Sequence, residues 1–97
     1  MSEELRELLW YIVSNYTFGQ QREIFVEKCA EAIQAAQKLK RANGTADYEK
    51  AISHLREEVA DVLIMAEQMR YFLGEEKVDG IIKSKLERQI ERIKEEV

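Results

Sequence analysis

Residues 54–69 read HLREEVADVLIMAEQM. The apolar residues Leu55, Val59, Val62, Leu63, Ala66 and Met69 recur at intervals of three and four, the spacing of a helix packed against others. An acidic pair, Glu58 and Asp61, is set into this stripe. Three residues apart, the two carboxylates leave the same side of a helix about one turn from each other. Acids at the edge of an apolar face cost desolvation and repel each other unless a positive charge lies between them. A hard divalent cation such as Mg²⁺, which prefers a few carboxylate oxygens plus water, would relieve both costs. A solvated helix face is the other reading of the same pair, and this stretch alone leaves both open.

Working outward, Asn43-Gly44 precedes this helix as a stop for the one before it, since Gly takes the left-handed conformation readily. Thr45 or Asp47 is expected to cap the new helix, which ends near Leu73 with Gly74 as its stop. The preceding helix is expected from about Gln20 to Ala42, with Ile24, Phe25, Cys29, Ile33, Ala36 and Leu39 as its stripe. A short turn over Asn15 to Gly19 separates it from a first helix running from Ser2 to about Tyr16. Ser2 suits its cap, and Glu3 and Glu4 suit the positive end of its dipole. Leu5, Leu8, Leu9, Ile12, Val13 and Tyr16 form its inner face, flanked by Trp10 and Tyr11. A last helix over roughly Glu76 to Glu96 carries Val78, Ile81, Ile82, Leu86, Ile90 and Ile93.

Four helices joined by short loops predict one all-α domain over residues 1–97, a four-helix bundle with antiparallel helices. The composition agrees: no proline, four glycines, 35% charged and 45% apolar residues fit a helical protein and argue against disorder. A core of this size is small, so association into a homodimer or homotetramer is expected. The net charge of −4 gives no reason to expect nucleic acid or an anionic membrane as partner. The single cysteine, Cys29, excludes an internal disulfide and reads as a small buried hydrophobe. No apolar run reaches the roughly 18 residues of a membrane span. The start, MSEELRELL, is acidic where a signal peptide would be basic, and a cytoplasmic location is expected.

Two further clusters bear on chemistry. Glu27 and Glu31 share a helix face four residues apart. If their helix neighbours residues 54–69, Glu31 approaches Glu58 and Asp61, and acids from two helices form an oxygen-ligand cation site. Lys28, Lys38, Arg22 and Arg56 offer the competing use of those acids, as surface ion pairs. On the last helix Lys85, Arg88 and Arg92 share one side. Facing a cation held by acids, such a stripe suits a polyphosphate; with Glu87, Glu91 and Glu95 interleaved, it also suits a solvated helix. His54 lies one turn before Glu58 and reads as a solvated or hydrogen-bonded residue. Trp10 reads as packing, or as a wall for a flat ligand such as a nucleobase.

The run Glu58-Val59-Ala60-Asp61, its continuation Val62 to Met69, and Lys85-Leu86-Glu87-Arg88-Gln89-Ile90-Glu91-Arg92-Ile93 together resemble the MazG-like all-α nucleoside triphosphate pyrophosphohydrolases. The likeness is to their short, phage- and prophage-type members. Their signature is Glu-x-x-Glu, a spacer, then Glu-x-x-Asp, and the spacer between Glu31 and Glu58 has a length usual in the family. The first half departs from the pattern. Where the family commonly reads Glu-Glu-Cys-Ala-Glu-Leu, this chain reads Glu27-Lys28-Cys29-Ala30-Glu31-Ala32. Lys28 stands at the first ligand position, and a protonated lysine does not coordinate Mg²⁺. Three arrangements follow: Glu27 turns in from the adjacent position, Glu31, Glu58 and Asp61 work with extra waters, or Lys28 replaces the metal's charge and catalysis is lost.

The resemblance implies a Mg²⁺-dependent enzyme, with Mn²⁺ as a substitute, that converts an NTP or dNTP to the monophosphate and pyrophosphate in nucleotide-pool housekeeping. Glu31, Glu58 and Asp61 would be catalytic and, with Glu27, would hold the metal. Lys85, Arg88 and Arg92 would bind the substrate's phosphates. Gln21, which matches a glutamine common in the short members, would face the nucleotide, with Trp10, Tyr11 and Phe18 near the base. The alternative it implies is a catalytically degenerate member serving as a nucleotide-binding or helical assembly module.

Overall fold

A computed structural model describes residues 1–96 as four helices: α1 (Glu3–Val13), α2 (Phe18–Ala42), α3 (Tyr48–Leu73) and α4 (Glu75–Glu96). Local chemistry sets their ends. Ser2 caps α1, its side chain accepting from the Leu5 N–H at 3.3 Å. The helix stops at Val13, a turn short of the expected Tyr16. There Ser14 Oγ and Asn15 Nδ2 both donate to the Tyr11 carbonyl, at 2.8 and 2.7 Å, taking up an acceptor the next turn would have used. α2 begins two residues earlier than the expected Gln20, because Thr17 and Gln20 form a reciprocal capping box. Thr17 Oγ1 accepts from Gln20 N–H at 3.2 Å and Gln20 Oε1 accepts from Thr17 N–H at 2.9 Å.

Neither expected cap of α3 works as one. Asp47 occupies the cap position, but its side chain makes no capping bond. Thr45 Oγ1 instead donates to the Ala42 carbonyl at 2.7 Å and accepts from Asp47 N–H at 3.2 Å, tying the α2–α3 turn rather than the helix start. Gly44 and Gly74 take positive φ, +80° and +101°, as their positions after α2 and α3 require.

α2 and α3 lie against each other along their length. Gln21 meets Gln68 and Lys28 meets Asp61, so partners approach in reverse order and the two helices run in opposite senses. That register decides what is buried. The seam takes in Gln21, Lys28, Ala35 and Leu39 from α2, and Glu58, Met65, Gln68 and Met69 from α3. Ile33, expected on the inner stripe of α2, stays 64% exposed, because it sits well over 90° round the helix from Lys28 and Ala35. α1 packs on α3, where Val13 is buried and the Trp10 and Tyr71 rings meet edge-on at 4.7 Å. The remainder of its expected inner face, Leu5, Leu8, Ile12 and Tyr16, is exposed.

α4 approaches α3 alone among the described residues, and none of its side chains is buried. One residue, Gly74, joins the two helices. Across it Arg70 grips Asp79 with two parallel hydrogen bonds, Nε to Oδ1 at 2.7 Å and Nη2 to Oδ2 at 2.8 Å. Glu67 and Glu75 lie 3.3 and 3.7 Å from the same guanidinium. A bidentate pair of this kind fixes direction as well as distance. α4 therefore projects from the end of α3 instead of lying along the α2–α3 pair. The radius of gyration is 16.8 Å, against about 12.5 Å for a compact chain of this length. The four helices make an all-α bundle that is extended at the α4 end.

Candidate functional site

The reverse pairing of α2 and α3 brings three acids together. Glu31 comes from the middle of α2, and Glu58 and Asp61 from successive turns of α3. One carboxylate oxygen from each lies within 4.8 Å of the others. All three are partly buried, Glu58 most deeply, with its side chain 13% exposed. One Glu58 oxygen, Oε1, is 3.3 Å from His54 Nε2, an ion pair only when that imidazole is protonated. The other, Oε2, is fully buried and has no hydrogen-bond partner. A buried carboxylate oxygen with nothing to accept from is costly and calls for a positive charge or a donor.

Lys28 supplies part of that charge. Its ammonium lies 3.5 Å from Glu31 Oε2 and 3.7 Å from Asp61 Oδ2. Glu31 first, then Asp61, hold the lysine above its ordinary pKa, so it stays protonated throughout the physiological range. It does not touch Glu58 Oε2. Three carboxylates against one ammonium leave two negative charges uncompensated, the charge of one divalent cation. Mg²⁺ at about 2.1 Å from each ligand places ligand oxygens about 3 to 4.2 Å apart. A triangle no wider than 4.8 Å is near that size. Glu31, Glu58 and Asp61 thus fit a hard cation completed by water, and Lys28 lies against two of the three.

Glu27 is exposed and stands outside this group. The register that sets Lys28 opposite Asp61 turns Glu27 further from the seam. Lys85, Arg88 and Arg92 are exposed on α4, which makes no approach to α2 among the described residues. In a single chain they are not brought to the acids, because the Arg70–Asp79 clamp directs α4 away. Gln21 is 3% exposed, its Nε2 donating to Gln68 Oε1 at 2.7 Å, and its own Oε1 is buried without a partner. It belongs to the interior of the seam, not to an open face.

The His54–Glu58 contact is the one-turn neighbour relation legible in the sequence. Two features escaped the sequence reading. Gln68 extends the row Glu58, Asp61, Met65 along one face of α3, a signal present in the spacing. The Arg70–Asp79 clamp spans a helix break, where no periodicity operates. Gln68 also lines a pocket of about 560 Å³ between α1 and α3, with Leu9, Trp10, Val13 and Tyr71. At 1.5 Å per residue, Gln68 lies about 10 Å along α3 from Asp61. Comparison with family models, with curated proteins and with solved structures finds no match for the chain.

Proposed function

We propose that the chain is a Mg²⁺-dependent nucleoside triphosphate pyrophosphohydrolase of MazG-like type, cleaving an NTP or dNTP to the monophosphate and pyrophosphate. The observation that carries this reading is the meeting of Glu31, Glu58 and Asp61 from two helices, with one buried Glu58 oxygen unpaired. A bound Mg²⁺, or Mn²⁺ in its place, would neutralise phosphate charge and lower the pKa of a coordinated water. Glu31, Glu58 and Asp61 would hold the ion, and a carboxylate oxygen of theirs not engaged with it would accept the proton of the attacking water. The aromatic pocket about 10 Å along α3 lies within the reach of a nucleotide, and the base stacks there on Trp10 or Tyr71. Lys85, Arg88 and Arg92 take phosphate oxygens only in an assembly that carries α4 to the acids.

Pyrophosphate release from a panel of NTPs and dNTPs, with and without Mg²⁺, tests the reading. Release that needs Mg²⁺ and falls at least a hundredfold in Glu58→Gln supports it. No release from any nucleotide at micromolar enzyme refutes it.

One observation favours a second reading, a degenerate member that binds nucleotide or serves as a helical module without hydrolysis. The Lys28 ammonium, at 3.5 and 3.7 Å from two of the three acids, already acts as their counter-ion. Under this reading Lys28→Glu creates or greatly raises Mg²⁺-dependent hydrolysis; under the first it changes hydrolysis little.

A further inference from the structure

The hairpin end of the α2–α3 pair gathers positive charge. Lys38 and Arg41 lie three residues apart near the end of α2, and Lys50 and His54 four apart near the start of α3, so each pair shares a face of its helix. All four line one pocket of about 560 Å³. The register that opposes Gln21 to Gln68 and Lys28 to Asp61 sets Lys38 opposite Ala51. Ala42 and Ala51 line the pocket too, and alanines where two helices meet leave room that longer side chains would fill.

The cations are uncommitted. Among the described residues no carboxylate pairs with Lys38, Arg41 or Lys50; the ion pairs fall on Arg22, Lys28, His54 and Arg70. The one acid in the pocket lining is Asp47, whose side chain makes no capping bond. Leaving the imidazole aside, three cations against one acid give the lining a positive charge of two, in a chain whose net charge is −4. Like charges massed in a recess repel one another, and an anion between them relieves that cost. The site is also held in shape. Gly44 at a φ of +80° and the two hydrogen bonds of Thr45 tie the turn between the helices, so little ordering is needed on binding.

We propose that this pocket binds a phosphate-bearing anion, at a site separate from the three acids. At 1.5 Å per residue, Lys50 lies about 12 Å along α3 from Glu58, and Arg41 about 15 Å along α2 from Glu31. The planar fork of Arg41 takes two phosphate oxygens, and Lys38 and Lys50 bring point charges to the others. A phosphate group, with close to two negative charges in a small volume, matches the charge of the lining; a lone carboxylate leaves half of it unmatched. The recess between two helices admits a compact group, whereas a nucleic-acid backbone calls for a basic stripe along a face. The proposal does not rest on the nucleotide reading, and its test needs neither a divalent cation nor hydrolysis.

Pyrophosphate is the probe, in buffer freed of divalent cations by a chelating resin, so that no ion at the acids can hold it. His54 is the chain's only histidine, and the carbon-bound protons of its ring give proton NMR signals that report on the pocket it lines. At fixed pH and ionic strength, pyrophosphate shifts these signals to saturation. Arg41→Ala and, separately, Lys50→Ala weaken binding about tenfold, the loss expected of one charge-assisted contact. Both residues are exposed, so each variant keeps a helical far-ultraviolet spectrum. Arg88→Ala, at an exposed cation of α4, leaves binding unchanged. Inorganic phosphate and a nucleoside monophosphate are two further arms. Similar affinities for both support the site with a free anion as its ligand; a monophosphate that binds at least tenfold tighter supports it with a nucleotide as the source. No saturable shift at tens of millimolar pyrophosphate overturns the proposal. So does a shift that chloride reproduces at matched ionic strength, or binding that Arg41→Ala and Lys50→Ala both leave intact.

Discussion

Replacing Gln68 with leucine tests how the α2–α3 seam is held. Gln68 and Gln21 are each 3% exposed and share one hydrogen bond of 2.7 Å. Gln68→Leu removes the acceptor and strands Gln21 Nε2 beside an Oε1 that already has no partner. A stranded buried polar group costs about 1–3 kcal/mol, and the leucine fills a similar volume, so the net loss is about 2 kcal/mol. For a domain of this length that lowers Tm by about 8–16 °C. Gln21→Leu is milder, because it strands one Gln68 oxygen but removes the unpaired Gln21 Oε1. The double variant, with both amides gone, returns close to the native Tm, since two apolar groups meet where two polar ones did. Thermal unfolding followed by circular dichroism, at one fixed protein concentration, reads all four proteins. Two results would refute the reasoning: a double variant whose loss equals the sum of the singles, or Gln21→Leu falling below Gln68→Leu. Pyrophosphate release adds an independent check. A seam residue changes stability, whereas a nucleotide contact raises KM at unchanged Tm.

The clamp between α3 and α4 should weaken in acid. The hydrogen bonds from Arg70 hold the Asp79 carboxyl below its ordinary pKa, so its stabilising effect is fully present above the unfolded value near 4 and is lost as pH falls through the lower, folded one. Scans of thermal stability between pH 5 and pH 2 are therefore expected to converge for the native chain and Asp79→Asn; curves that stay parallel would contradict this. Thr17→Ala removes half of the capping box and costs about 1 kcal/mol, or about 4–8 °C in Tm; a change under 2 °C would show that tertiary packing alone starts α2. Titration of the native chain with Mn²⁺ by calorimetry is expected to give binding that Glu58→Gln weakens at least tenfold, and equal affinity in both proteins would remove the three acids as its seat.

Periodicity made the helices legible, and acid spacing made the site legible. Glu58 and Asp61 were visible as a pair because helical geometry is local, and Glu31 joined them once α2 was allowed to neighbour α3. What spacing does not encode is register. A helix with apolar residues over half its circumference can turn several faces to a neighbour, and the one used here buries Gln21 and Lys28 while leaving Val26 and Ile33 bare. The stripe of α4 misled for a related reason. Ile81, Ile82, Leu86, Ile90 and Ile93 imply a covered face, and the sequence carries no mark of which chain covers it. The direction of α4 rests on a nine-residue contact, Arg70 to Asp79, that crosses a helix end where no repeat operates.

The absence of any buried side chain on α4 leaves that helix to its own backbone ladder, with little packing added to it. Its amide protons would therefore exchange with solvent far sooner than those of the buried α2–α3 seam, since opening them disrupts no core.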